Sequence, residues 1–270
     1  MLAMIAGFYV PCTSAADSND AAASYLPIEP SPYTDKPADN ADAQAEGRLI
    51  FERGCALCHG MDGKGDGPTA YFIGRSSGPR PRDFTSGTFK FRSTESGELP
   101  TDEDLFRTVS EGIPGFMPAY GGLSVVNRWK VIYYIKTFYP GFKDAKPAVI
   151  KVVGQPAMPT VASIDHGHQL YQRMHCWECH GGGGEGDGSK APTLKDDWGM
   201  PLPPANLTLP QSFKNGHRPV DIYMTIMTGL NGTPMPSYSD LFQGHEQDAW
   251  DLTNYILSLS ADGSGKQKDY

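Results

Sequence analysis

Apolar positions in this chain come in short runs broken by glycine and proline, and only a few stretches hold one period long enough to predict an element. The clearest is 124–139, where Val125, Trp129, Ile132 and Tyr133 fall on one helical face and Pro140-Gly141 stops the run. A second helix is predicted to start at Thr101, which can cap it, with Asp102, Glu103 and Asp104 in the first turn and Gly112 as its stop. A third, shorter helix covers Ala43 to Phe51. The stretch 113–120 (IPGFMPAY) has no period and reads as loop. So do the glycine-rich 60–68 (GMDGKGDGP) and the basic, Pro/Gly-punctuated 75–92.

The pattern then repeats. Gly167, Leu170 and Tyr171 echo Gly47, Ile50 and Phe51, and 184–188 (GEGDG) echoes 63–67 (GKGDG). Pro204-Ala205-Asn206-Leu207 echoes Pro81-Arg82-Asp83-Phe84, and Gly229 echoes Gly112. Met235-Pro236-Ser237-Tyr238 echoes Met117-Pro118-Ala119-Tyr120, and Trp250 with Tyr255-Ile256 echoes Trp129 with Tyr134-Ile135. Order preserved over a hundred residues points to duplication of one all-α domain. A chain of 270 residues accommodates two such units. The expected division is a first domain at 41–142, a linker at 143–160, a second domain at 161–260 and a polar tail at 261–270.

The first forty residues read differently. Met1 to Val10 is apolar, and Ser14-Ala15-Ala16 before Asp17 resembles a small-residue cleavage site, so 1–16 is expected to be a signal peptide. Ten apolar residues make a helix of about 15 Å, too short to cross a bilayer, so no transmembrane span is expected in the mature chain. Residues 17–40, rich in Ala, Ser, Asp and Pro, are expected to form a flexible tether. An exported, periplasmic location follows from the signal. It removes Cys12, the odd one of five cysteines.

The other four cysteines carry the chemistry. Cys55-Ala56-Leu57-Cys58-His59 and Cys176-Trp177-Glu178-Cys179-His180 each read C-x-x-C-H, the attachment pattern of a c-type haem. Two thiols three positions apart on one helical turn can each add to a haem vinyl group, and the next residue supplies an axial imidazole. Zinc could use four Cys and two His, but it does not explain a histidine directly after the second cysteine twice. A dithiol redox motif needs a βαβ pattern nearby, and none is visible. The glycine-rich 60–68 follows a haem motif and not a strand, which argues against a phosphate loop.

Methionine is the natural sixth ligand. Met-Pro occurs at Met117, Met158, Met200 and Met235, but only Met117 and Met235 occupy matching places in the repeat. The expected iron ligands are therefore His59 with Met117 and His180 with Met235, and the expected cofactors are two covalently bound haem c groups. Met61 lies too near its motif to reach the opposite face, Met224 and Met227 fall on a helix, and His166, His168, His175, His217 and His245 are read as surface or ordinary hydrogen bonding. Phe51, Tyr120, Trp129, Tyr171, Tyr238 and Trp250 are expected to pack around the haems. A carbonyl of Pro68, Pro79 or Pro81, and of Pro192, Pro203 or Pro204, is expected to accept the second imidazole proton.

Charge adds polarity. Residues 40–145 hold 13 basic and 13 acidic groups, whereas 161–270 hold 7 and 13. A formal net charge of -8 excludes general nucleic-acid binding, and the imbalance between halves can orient the molecule toward a partner. The cluster Arg75, Arg80, Arg82, Lys90 and Arg92 reads as a solvated loop that partly neutralises haem propionates.

Each half resembles a class I cytochrome c domain, and the whole is similar to tandem dihaem cytochromes c. The run PRDFTSGTFKFRSTESGELPTDEDLFRT further resembles cytochromes that serve molybdenum oxidoreductases. The resemblance implies single-electron transfer between redox protein partners, as a carrier or as the haem subunit of a respiratory oxidoreductase complex, with a molybdenum enzyme complex or a terminal oxidase as possible partners. The expected role is electron transfer, not catalysis. The alternative is a dihaem enzyme such as a cytochrome c peroxidase or thiosulfate dehydrogenase, which would need an open iron position.

Overall fold

A computed structural model describes residues 35–71, 79–154 and 159–260. The expected signal peptide, most of the tether, Arg75, Met158 and the tail lie outside the described residues. Within them the fold is helical, and pairing of extended backbone is limited to isolated bridges. None of the described helices is long and apolar enough to cross a membrane.

The first domain contains α1 (Ala41–Gly54), α2 (Ala56–His59), α3 (Asp102–Glu111) and α4 (Val125–Thr137). The second contains α5 (Val161–Arg173), α6 (Trp177–His180), α7 (Pro219–Thr228), α8 (Ser239–Phe242) and α9 (Glu246–Ser258). Five of the long helices, α1, α3, α4, α5 and α7, begin or end as their sequence dictates. Asn40, Thr101, Ser124 and Thr160 cap α1, α3, α4 and α5 with side-chain oxygens. Gly112 and Gly229 end α3 and α7 with φ of 69° and 63°, a region open to glycine.

In each domain the first and last long helices cross, and a glycine makes the crossing possible. A Cβ on Gly47 would stand 1.9 Å from the Lys130 carbonyl oxygen, and one on Gly167 would stand 2.0 Å from the Asp251 carbonyl oxygen. Aromatic side chains fill the space behind. Trp129 packs on Phe106 at 4.4 Å between centroids, and Trp250 stacks on Tyr223 at 4.2 Å. Phe51 and Tyr171, at matching positions, are both fully buried. The Tyr171 hydroxyl donates to the Gly181 carbonyl at 2.6 Å, a bond that Phe51 cannot make. Tyr171→Phe is therefore expected to cost domain 2 about 1–2 kcal/mol in a thermal melt, since it leaves that carbonyl without its donor.

The crossing helices are also tied by polar pairs, with the acidic partner on the first helix in one domain and on the last helix in the other. Lys130 on α4 pairs with Glu46 on α1, whereas Asp251 on α9 accepts from His166 on α5 at 2.8 Å. Histidine at 166 is thus an interhelix tie. Residues at the end of the expected tether are anchored too. Lys36 bonds Asp102 at 3.0 Å and lies over the Trp129 ring, and the Pro37 carbonyl accepts from the Tyr133 hydroxyl at 2.6 Å.

Asp102 collects two lysines. Burial works to raise its carboxyl, but hydrogen bonds and charge from Lys136 (2.7 Å) and Lys36 outweigh it and hold the group below its ordinary value of 3.8. A depressed folded value stabilises the fold above the unfolded value and loses that contribution as pH falls through the folded one. Acid unfolding followed by circular dichroism should therefore show stability dropping below about pH 4, with a shallower drop in Asp102→Asn.

The linker joins both domains. Thr94 and Val149 form an antiparallel bridge, and the Ile150 amide donates to the Ser93 carbonyl at 2.8 Å. The Ile150 side chain enters the core of domain 2, and the Val153 carbonyl accepts from the Trp250 indole at 2.9 Å. Domain 1 reaches across with arginines. Arg92 is 1% exposed and donates to the Thr228 carbonyl at 2.6 Å. Arg107 donates to the Asn215 carbonyl and side chain at 3.0 and 2.7 Å. Arg82 lies over the Trp198 ring at 4.7 Å. The basic loop is thus not simply solvated: its last arginine is buried at the domain interface.

Candidate functional site

Each C-x-x-C-H segment sits on one short helical turn directly after the first helix of its domain. The His59 amide donates to the Cys55 carbonyl at 2.9 Å, and the His180 amide to the Cys176 carbonyl at 2.9 Å. The turn closes on glycine, Gly60 with φ 77° and Gly181 with φ 82°. This places both cysteines and the histidine of each motif on neighbouring sides of one turn.

The second imidazole proton goes to a neighbour of the expected prolines. His59 Nδ1 lies 3.1 Å from the Arg82 carbonyl, and His180 Nδ1 lies 3.0 Å from the Ala205 carbonyl. These residues follow Pro81 and Pro204. The Pro81 carbonyl is turned instead against Gly65, where a Cβ would meet it at 2.3 Å. Burial pushes both imidazoles toward the neutral form, against the pull of the carbonyl bond. A carbonyl only accepts, so Nδ1 carries the proton and Nε2 keeps its lone pair for a metal. Phe84 stacks on the His59 ring at 4.5 Å and fixes its plane.

The methionine loops are held the same way in both domains. The Ile113 amide donates to the Met117 carbonyl at 2.8 Å, and the Leu230 amide to the Met235 carbonyl at 3.1 Å. The tyrosine three residues on locks the loop. The Tyr120 amide donates to Val109 and its hydroxyl to the Gly54 carbonyl at 2.5 Å, beside Cys55. The Tyr238 amide donates to Ile226, and its hydroxyl hydrogen-bonds the Cys176 thiol. Sequence reasoning read these tyrosines as packing alone. Their recurrence as Met-Pro-x-Tyr was the available signal for an anchoring role.

In domain 1 the parts meet in one cavity. Cys55, Cys58 and His59 line it together with Met117, Tyr120 and the apolar Phe84, Leu105 and Val109. Burial pushes the Cys55 thiol up to about 11, and the Cys176 thiol likewise to about 11, so both are protonated at neutral pH. Two thiols, an imidazole with a free Nε2, and a thioether around an apolar cavity fit a haem. They fit zinc poorly, because a thioether is a weak zinc ligand. Of the other residues weighed, Met61 is exposed, Met227 is core, and His175 pairs with Glu178.

Comparison with known proteins follows the same division of the chain. Residues 42–135 match the family model for cytochrome C oxidase, cbb3-type, subunit III, and residues 164–260 match the model for cytochrome c. No curated protein matches the chain significantly. Among solved structures, a chain of the Kuenenia stuttgartiensis reducing HAO-like protein complex Kustc0457/Kustc0458 is 40% identical, with a TM-score of 0.74 over 79% of this chain and 95% of that one. Cytochrome c domains bind haem c covalently and transfer electrons. With a cytochrome c model on each half, and one helix crossing, motif turn and methionine loop built twice, the chain belongs to the c-type cytochromes as two cytochrome c domains in tandem.

Proposed function

We propose that this protein is an exported dihaem electron-transfer subunit of an oxidoreductase complex, with no catalytic site of its own. The observation that carries this reading is the convergence of Cys55, Cys58, His59 and Met117 on one cavity, together with the matching motif and methionine-loop bonds in domain 2. Bound haem supplies the Fe(II)/Fe(III) couple. The chain's residues do the rest. The cysteines would provide thioether attachment, His59 and His180 would offer Nε2 to the iron, and Met117 and Met235 would offer their sulfur. Arg82 and Ala205 carbonyls orient the imidazoles, and the aromatic layers exclude water. A relative within a reducing HAO-like protein complex supports service to a catalytic partner over free diffusion.

Electron paramagnetic resonance and optical spectra of the oxidised holoprotein test the reading. Two low-spin ferric signals with the sulfur-to-iron band on both haems are expected. A high-spin ferric haem that binds cyanide or peroxide readily would sink it and make that domain an active site. Purification from the native host at low and high salt tests the partner, since a subunit should leave the column with its complex at low salt.

A further inference from the structure

The cavity around His59 is lined by four cations and no carboxylate: Arg80, Arg82, Lys90 and Lys214. Three come from domain 1, but Lys214 comes from domain 2. It follows the buried Phe213 of its own core, and its ammonium lies 4.4 Å from the centroid of Phe116, the residue before Met117. Arg82 is half-buried, with its Nη1 enclosed and without a hydrogen-bond partner. Burial, and then the charges of Arg82 and Lys214, push Lys90 down to about 7. A pocket whose wall gathers four cations and no carboxylate calls for an anionic group, because burying cations without a partner in contact is costly. Asp196 and Asp197 of domain 2, and Asp83, attract Arg82 from outside the lining, and Asp196 also attracts Lys90. The second domain differs at the matching position: Ala205, which holds His180 as Arg82 holds His59, brings no charge.

We propose that domain 2 completes the first haem site, with Lys214 crossing the interface to neutralise the haem propionates together with Arg82 and Lys90, so that domain docking raises the reduction potential of the first haem. The inference rests on the haem reading above. A nearby cation disfavours the ferric state, which carries one more positive charge than the ferrous. Lys214 is half-buried, so its charge acts at a lower dielectric than in bulk water. The interdomain bonds of Arg92 and Arg107 thereby gain a redox consequence: they keep Lys214 in place.

Spectroelectrochemical titration of the holoprotein tests this, with Lys214→Met against wild type and Lys214→Arg. Haem content is measured first. A wild-type chain with fewer than two haems overturns the haem reading itself, apart from this inference. With two haems present, Lys214→Met should lower one midpoint by roughly a tenfold change in the reduction equilibrium, about 59 mV for one electron, and leave the other unchanged. Lys214→Arg should restore it. Met235→His, which moves only the second haem, assigns the midpoints. Unchanged midpoints, an equal shift of both, or a shift confined to the second haem would each overturn the proposal. Lys90→Met, a change within domain 1, should lower the same midpoint.

Discussion

Gly47→Ala should cost the first domain about 3 kcal/mol or more and lower its melting temperature by more than ten degrees, at about 4–8 °C per kcal/mol for a domain of this size. The new Cβ would stand 1.9 Å from the Lys130 carbonyl oxygen, which belongs to helical backbone that cannot rotate away. The helices must separate by roughly an ångström or more, because packed interiors give little. Separation loosens Phe51, Trp129 and Ile132, all fully buried on that seam. Gly167→Ala should do the same to domain 2 through the Asp251 carbonyl at 2.0 Å. Gly122→Ala, with nothing near its added Cβ, is the control. Calorimetry with each domain followed through its own haem absorbance reads the result. Equal melting of Gly47→Ala and Gly122→Ala would mean that the crossing is not a tight constraint.

Exchanging the proposed sixth ligand should have the largest functional effect. Met117→His should lower the midpoint of the first haem by a substantial part of the ~0.8 V over which axial ligands set haem potentials, because imidazole favours ferric iron more than thioether does. The sulfur-to-iron band of that haem should vanish while the second persists. Met235→His should do the converse. The loop anchors predict how cleanly this works. Tyr120 and Tyr238 hold each loop through hydroxyl bonds beside the first cysteine of the motif, so the backbone should stay in place when the side chain changes. Loss of both bands from either single variant would argue that Met117 and Met235 do not serve separate irons.

Much of this protein was legible locally. The helix cap at Thr101, the helix start at 124, the stops at Gly112 and Gly229, and the buried face of Trp129 and Ile132 depend on neighbours within one or two turns, which a 3.6-residue period records. The motif turn is also local, since Cys55, Cys58 and His59 are bonded through one short helix. The repeat made the methionines readable, because Met117 and Met235 share a place that Met200 lacks. Even the glycines of the helix crossing recur as Gly47 and Gly167, although the sequence gives no sign of what presses on them.

Other features required the tertiary structure. The imidazole acceptors are the carbonyls of Arg82 and Ala205, one residue past the prolines, because Pro81 turns its own carbonyl to Gly65. Nothing in a proline's identity sets which of two successive peptide oxygens faces inward. The linker reads as spacer, yet it pairs with residues 93–95 and sends Ile150 into the other core. His166 becomes a tie only because α9 brings Asp251 to it across 85 residues. The sequence by itself determined two haem motifs, their helices and their matching methionines, all matters of spacing along the chain. Only the tertiary structure decided that Arg92 is buried between the domains and that Lys214 faces the other domain's cavity. Contacts between separate folded units depend on side-chain direction and surface shape, and no period along the chain encodes either.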